Sequence, residues 1–277
     1  MKLGFMQGRL CDMIDGKIQA FPRQEWRLEF EKAQALPLTL IEWTLDQEAL
    51  YDNPLMNVSG REDIRELSQR HGIDVVSITG DCFMQAPFYK VSGQAQIELL
   101  NDLYAIIEAA SALQIYYVII PLVDNGSLTD EDMEAECVKH LIAMSDYLVE
   151  KQVKILFESD FEPERLAAFI AQFPSMAFGI NYDSGNSAAL GFKPREELQH
   201  YGQRVENVHI KDRIYQGTTV PLGSGAVDFD DVFSALKACD YKGHFILQTA
   251  RAEDGNHSAA ITRYCHFVQQ GWQSNET

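Results

Sequence analysis

The stretch VKILFESDFEPERLAAFIAQFPSMAFGINYD, residues 153–183, holds two nearly continuous apolar runs with a helical pattern between them. The first run is VKILFES (153–159) and the second AFGINYD (177–183). Strands apolar on both sides belong in a sheet covered on both faces, and a helix between two of them marks a parallel strand-helix-strand unit. Both runs end in polar residues, Glu158-Ser159 and Asn181-Tyr182-Asp183.

The same rhythm continues outward to both ends of the chain. Before the unit stand KLGFMQ (2–7), LTLIEW (38–43), DVVSIT (74–79) and YYVIIPL (116–122); after it stand ENVHIKD (206–212) and HFILQT (244–249). Helical patterns fill the gaps, as at Asp63 to Arg70 and at 94–113, where Leu99, Leu103, Ile106, Ile107 and Ala110 make an apolar face. Thr129-Asp130-Glu131-Asp132 opens a helix over 130–150 with a capping pattern and an acidic first turn. Eight strands alternating with helices, with no Gly- or Pro-rich linker, predict an α/β chain folded over 1–277 as a single (β/α)8 TIM barrel domain. A doubly wound sheet is the competitor, but neither GxGxxG nor GxxxxGK[ST] follows the first strand.

With 46% apolar residues the 277-residue chain has enough material for a large core. Its formal net charge of -18 repels phosphate backbones and anionic lipid heads, so nucleic acid and membrane partners are disfavoured. No run is long and apolar enough to span a bilayer, and MKLGFMQGRL lacks the apolar core of a signal peptide. The five cysteines, at 11, 82, 137, 239 and 265, form no CxxC pair, so reduced thiols and a cytoplasmic location are expected. Cys11 and Cys82 follow strand-like runs, where a small buried residue is a more ordinary reading than a nucleophile. The sequence leaves room for a homo-oligomer and does not specify one.

In such barrels the chemistry gathers at the C-terminal ends of the strands. Glu158, Asp183, His209 and Gln248 close the last four strands at separations of 25, 26 and 39 residues. One strand-helix repeat takes about 30 residues, so the four occupy equivalent positions, the long last gap being filled by the loop GTTVPLGSGAVDF. A lone strand histidine is ordinarily a packing residue, and a lone terminal carboxylate a cap. Four metal-competent side chains in register on consecutive strands point to a site.

At these residues the chain resembles the xylose isomerase-like barrels, and in particular their sugar phosphate isomerase/epimerase branch. MQGRL after the first strand, Ile41-Glu42 in the second, YDSGN (182–186), HIKDR (209–213) and VPLGSGAVDF (220–229) carry the likeness, which covers essentially the whole chain. The resemblance implies one divalent metal, Mn²⁺ or Mg²⁺ first and Co²⁺ or Zn²⁺ as other occupants, held by Glu158, Asp183, His209 and, fourth, Gln248. The family has a glutamate at this fourth place. An amide can coordinate but cannot take a proton at neutral pH, which argues against a two-base epimerisation. The endonuclease branch needs more histidines than this chain supplies, and Asn186 stands where that branch has one.

The expected activity is therefore metal-dependent proton transfer next to a carbonyl of a small sugar, sugar phosphate or related polyol, through an enediolate. Isomerisation comes first, then 3-epimerisation. A dehydratase acting on an inosose-type keto-polyol, or a barrel that has lost catalysis and only binds sugar, are the alternatives. Glu158 is the expected base. Lys211, on the same side of its strand as His209, is expected to polarise a carbonyl or to form an interior salt bridge. Glu42, Asn186, Arg213 and Arg251 are candidate substrate contacts, with internal ion pairing the other reading for Glu42 and for the arginines. Asp212 is expected to orient neighbours or cap its loop, and Trp26, Trp43 and Trp272 to be core residues, Trp43 with a second reading as a pocket wall.

Overall fold

A computed structural model describes residues 1–14 and 16–274. Its strands are β1 (Lys2–Met6), β2 (Leu40–Thr44), β3 (Asp74–Thr79), β4 (Tyr117–Leu122), β5 (Lys154–Ser159), β6 (Phe178–Asp183), β7 (Val205–Ile210), β8 (Asp212–Arg213), β9 (Thr219–Val220) and β10 (His244–Leu247). Eight of them form a closed parallel barrel in the order β1-β10-β7-β6-β5-β4-β3-β2, while β8 and β9 form a separate two-stranded sheet. β1 closes the ring by pairing with β10 on one side and β2 on the other. The helices between the strands include Val58–His71, Gln94–Ala112, Pro163–Ala171, Phe229–Ala238 and the last, His257–Ser274.

Strand register sets the polar residues at one end. Asp183 pairs with His209 across β6 and β7, and Glu158 with Pro121 across β5 and β4. Below them, Phe157, Phe169, Phe173 and Phe178 pack together between the sheet and the helix after β5. The tryptophans are packing residues: Trp43 is enclosed by Phe21, Trp26 and Phe30 and donates to Asn53 Oδ1, and Trp272 lies on Phe233 and Phe245.

Two elements differ from the sequence pattern. The helix expected over 130–150 is two helices, Glu131–Ala143 and Ser145–Lys151, broken at the buried Met144. There the Met144 amide bonds three residues back to Leu141, and the Ser145 hydroxyl takes the Ile142 carbonyl, so the four-residue ladder is interrupted. The long loop after β7 folds back as the antiparallel β8–β9 hairpin. Asp212 holds it: the buried carboxylate accepts from the amides of Gly223, Gly225 and Val227. A Cβ on Gly225 would lie 2.2 Å from Asp212 Oδ1, so only glycine lets the loop wrap this close.

Two buried carboxyls brace the frame. Glu29 accepts from the amides of Gly8 and Leu10, pinning the loop after β1, and Glu197 accepts from the hydroxyls of Tyr182, Ser187 and Tyr201. Burial raises each to about 7. A carboxyl that binds its proton more tightly when folded adds stability that is complete below its unfolded pKa and lost as pH rises through the folded value. The affected window here runs from about 4.5 to about 7, and the self-repulsion of the -18 charge acts in the same direction. The melting temperature should therefore be several degrees higher at about pH 5.5 than at about pH 8. Glu29→Gln should flatten that slope in calorimetric scans, and a melting temperature that rises toward pH 8 would contradict it.

Candidate active site and metal centre

Glu158, Asp183 and His209 bring two carboxylate oxygens and an imidazole nitrogen within 4.8 Å of one another, all three buried. His209 Nδ1 lies 3.2 Å from Glu158 Oε2 and 3.9 Å from Asp183 Oδ2. On the other edge of the ring, Nε2 meets Glu42 Oε1 at 2.7 Å. Glu42 is itself fixed by donors from Ser77 (2.7 Å) and Asn207 (3.1 Å). A carboxylate behind an imidazole holds its N–H and turns the opposite nitrogen toward the centre, the arrangement found around metal-ligating histidines. Two hard oxygens and one oriented nitrogen fit a single divalent ion.

The electrostatics follow from the packing. Burial disfavours the His209 imidazolium, but the charges of Glu42 and Glu158 and their hydrogen bonds outweigh it, lifting the ring to about 10. Burial likewise acts to raise Glu158, yet its hydrogen bond to His209 and the charges of His209 and Lys211 hold it below the usual carboxylate range. Asp183 is pushed up, by burial and by the nearby charge of Glu158, against the pull of Lys211. Glu158 is thus the ionised carboxylate of the group.

Lys211 stands over this set. Its ammonium donates to Gln248 Oε1 at 3.1 Å and to Asp183 Oδ2 at 3.4 Å. Its stem passes directly over Gly185, where a Cβ would sit 2.7 Å from Lys211 Cγ, so the glycine of YDSGN makes room for it. The Gln248 amide donates onward to Gln19 Oε1 at 3.4 Å. Asn186 donates to Glu158 Oε1 at 2.6 Å and accepts from Arg213 Nη1 at 2.9 Å, while Arg213 Nε and Nη2 donate to Gly217 O in the hairpin. A chain of contacts therefore runs from the hairpin to the Glu158 carboxylate.

These residues open into a cleft of about 320 Å³ lined by Glu158, Asn186, Lys211, Arg213 and Gln248, and across it by Gln19, Thr79, Asp81 and Asp124. Seven of the residues singled out in the sequence therefore meet at one place: Glu158, Asp183, His209, Lys211, Gln248, Asn186 and Arg213. Glu42 and Arg251 are placed differently. Glu42 is fully buried behind His209, and Arg251 reaches back to the Cys11 carbonyl, away from the residues lining the cleft. Arg9 lines the cleft, but its guanidinium is spent on Thr249 O, Ile18 O and Gln19 Oε1. Burial pushes the Cys11 thiol up to about 12 and the Cys82 thiol well above its ordinary value, so both stay protonated.

The sequence reading passed over a second tier. Asn181 Nδ2 lies 2.9 Å from Glu158 Oε2 and 3.1 Å from His209 Nδ1, and its Oδ1 accepts from Asn207. Alternation carried the signal: Asn181 is two residues before Asp183 and Asn207 two before His209, so each shares a strand face with its neighbour. Asp81 and Gln19 had no such marker.

The model of the xylose isomerase-like TIM barrel family matches residues 30–264. An inosose isomerase of Bacillus licheniformis is 25% identical over 171 residues, 56% of this chain and 62% of that protein. An L-ribulose-5-phosphate 3-epimerase, UlaE, of Shigella flexneri is 28% identical over 95 residues, 33% of each. The matches thus span less than two thirds of either relative's length. Among solved structures, an IolI protein crystallised with a zinc atom superposes over 100% of both chains with a TM-score of 0.79 at 20% identity, a likeness of fold.

Proposed function

Because the chain belongs to the xylose isomerase-like TIM barrel family, we propose that it is a divalent-metal-dependent isomerase or epimerase of a small sugar, sugar phosphate or polyol ketone. The observation that carries this reading is the buried set Glu158, Asp183 and His209 at the floor of an open cleft. These three would hold the ion, Mn²⁺ or Mg²⁺ by their oxygen-rich character, and a bound ion supplies Lewis acidity for a carbonyl and its neighbouring hydroxyl. The name of the Bacillus licheniformis relative supports a keto-polyol among the substrates.

Within the site, Glu158 takes and returns the carbon-bound proton, since it is the ionised carboxylate and opens into the cleft. Asn186 fixes the orientation of that carboxylate, and Arg213 fixes Asn186. Lys211 directs an N–H at the developing oxyanion, held by Asp183 and Gln248. A base acting on one face favours isomerisation over inversion at one carbon.

The test is a panel of ketoses, aldoses, their phosphates and inososes in deuterated water with added Mn²⁺. Deuterium entering a carbon-bound position supports the reading, and no incorporation anywhere would leave a barrel that only binds. Gln248→Glu measures the fourth corner of the site. If Gln248 approaches the ion, the added carboxylate should tighten Mn²⁺ binding by about tenfold in calorimetric titration. Unchanged affinity would leave Gln248 as a partner of Lys211 alone.

A further inference from the structure

We infer that Asp81 is a second catalytic residue of the cleft, the acid–base group that serves the substrate's oxygens while Glu158 serves its carbon. This rests on the isomerase reading above. Asp81 follows β3 and lines the same cleft as Glu158 and Lys211. It is 9% exposed, so it is withdrawn from bulk water while still facing the cavity. Gln19 Nε2 donates to its Oδ2 at 2.9 Å, and the Thr79 hydroxyl meets Oδ1 at the longer distance of 3.4 Å. Oδ2 is thereby fixed as an acceptor, and Oδ1 is the atom free to carry a proton.

The wider contacts tie Asp81 to the rest of the site. Gln19 Oε1 accepts from Gln248 Nε2, and Gln248 Oε1 accepts from Lys211 Nζ. A line of hydrogen bonds thus crosses the cleft from Asp81 to Asp183. Gln248 itself can neither take nor give a proton at neutral pH, so the line ends on a titratable group only at Asp81 and at the Lys211–Asp183 pair.

The groups that face Asp81 are Arg9 after β1, Asp46 after β2, Thr79 on β3, Asp124 after β4 and Glu158 on β5. Burial first and the charge of Asp46 second raise its carboxyl, against the Gln19 hydrogen bond and Arg9, to about 7. A group poised near the working pH exists in both forms, which is what acid–base transfer requires.

The proton balance closes for isomerisation. Glu158 takes the proton from the carbon beside the carbonyl as Asp81, neutral, gives its proton to the carbonyl oxygen, leaving an enediol. Asp81, now ionised, takes the proton from the neighbouring hydroxyl as that oxygen becomes the new carbonyl. Glu158 returns its proton to the former carbonyl carbon. Both residues end as they began, and nothing is oxidised or reduced overall.

The experiment has two arms on the Mn²⁺-loaded protein. Carbon-13 NMR of protein labelled at the aspartate carboxyl carbons, with Asp81→Asn used to assign the resonance, should show Asp81 titrating near neutrality. In deuterated water with D-fructose, D-ribulose 5-phosphate and an inosose as probes, Asp81→Asn should lose about 100-fold in conversion but far less in carbon-bound exchange, so the ratio of exchange to conversion rises. The conversion rate should also lose its near-neutral pH dependence. An Asp81 titration in the ordinary carboxylate range, or an equal fall of exchange and conversion, would overturn the role of Asp81. Absence of exchange with every probe in the wild type would sink the isomerase reading itself, a different result.

Discussion

Glu158→Gln should slow carbon-bound deuterium exchange by about 10³- to 10⁴-fold, the upper part of what a positioned acid–base group contributes. The amide keeps the shape and two of its partners can adapt, Asn181 and Asn186 being amides that can reverse their donor and acceptor ends. The fold should therefore survive, and circular dichroism and melting should stay close to wild type. What is lost is the only ionised oxygen aimed from the floor into the cleft. Lys211→Met should cost less, because it removes a donor to the oxyanion and leaves the base in place. Near-normal exchange in Glu158→Gln would move the base elsewhere; Glu42, sealed behind His209, has no path to the cleft to replace it.

His209→Ala should reduce Mn²⁺ affinity by more than 100-fold in calorimetric titration, beyond the roughly 10- to 100-fold expected of Glu42→Gln, which only loosens the ring from behind. The order of these two losses is the informative part. A larger effect from Glu42 than from His209 would make the glutamate the ligand. The proton that lifts His209 to about 10 must leave for Nδ1 to offer its lone pair. Affinity should thus weaken about tenfold for each pH unit lost below that value. A pH-independent affinity between about 6 and 9 would show that the ring binds no proton in the metal-free protein.

The barrel was legible because its strands are buried on both faces. Runs such as YYVIIPL and VKILFES carry that fact residue by residue, with little dependence on distant neighbours. The convergence of Glu158, Asp183 and His209 was legible for a related reason: in a closed parallel barrel, equal spacing along the chain becomes equal height in the wall. The break at Met144 was not legible, since its 130–150 pattern reads as one continuous helix and tertiary packing of the methionine interrupts it. Nor was the destination of Glu42. Its position on β2 marks it as an interior residue, but whether an interior carboxylate faces the cleft or backs a histidine depends on depth. Depth is set here by the register shift between Ile41 and Glu42 against β3. Asp81 and Gln19 come from segments outside the strands, where no period governs which way a side chain points.

The ring is closed by its two most distant strands, and Arg9 Nε adds a bond to Thr249 O across 240 residues of chain. A polypeptide leaving the ribosome has β1 at the very start and must wait for β10 before either edge of the sheet is covered. Until then β1 and β7 each expose an unpaired edge, and the wall of the cleft that holds Gln248 is missing while the Glu158, Asp183 and His209 strands are already made. Closure of so long a loop is an entropically late event, so the nascent chain spends most of its synthesis as an open, aggregation-prone sheet. The site is therefore the last thing the cell finishes, and its completion coincides with release of the chain.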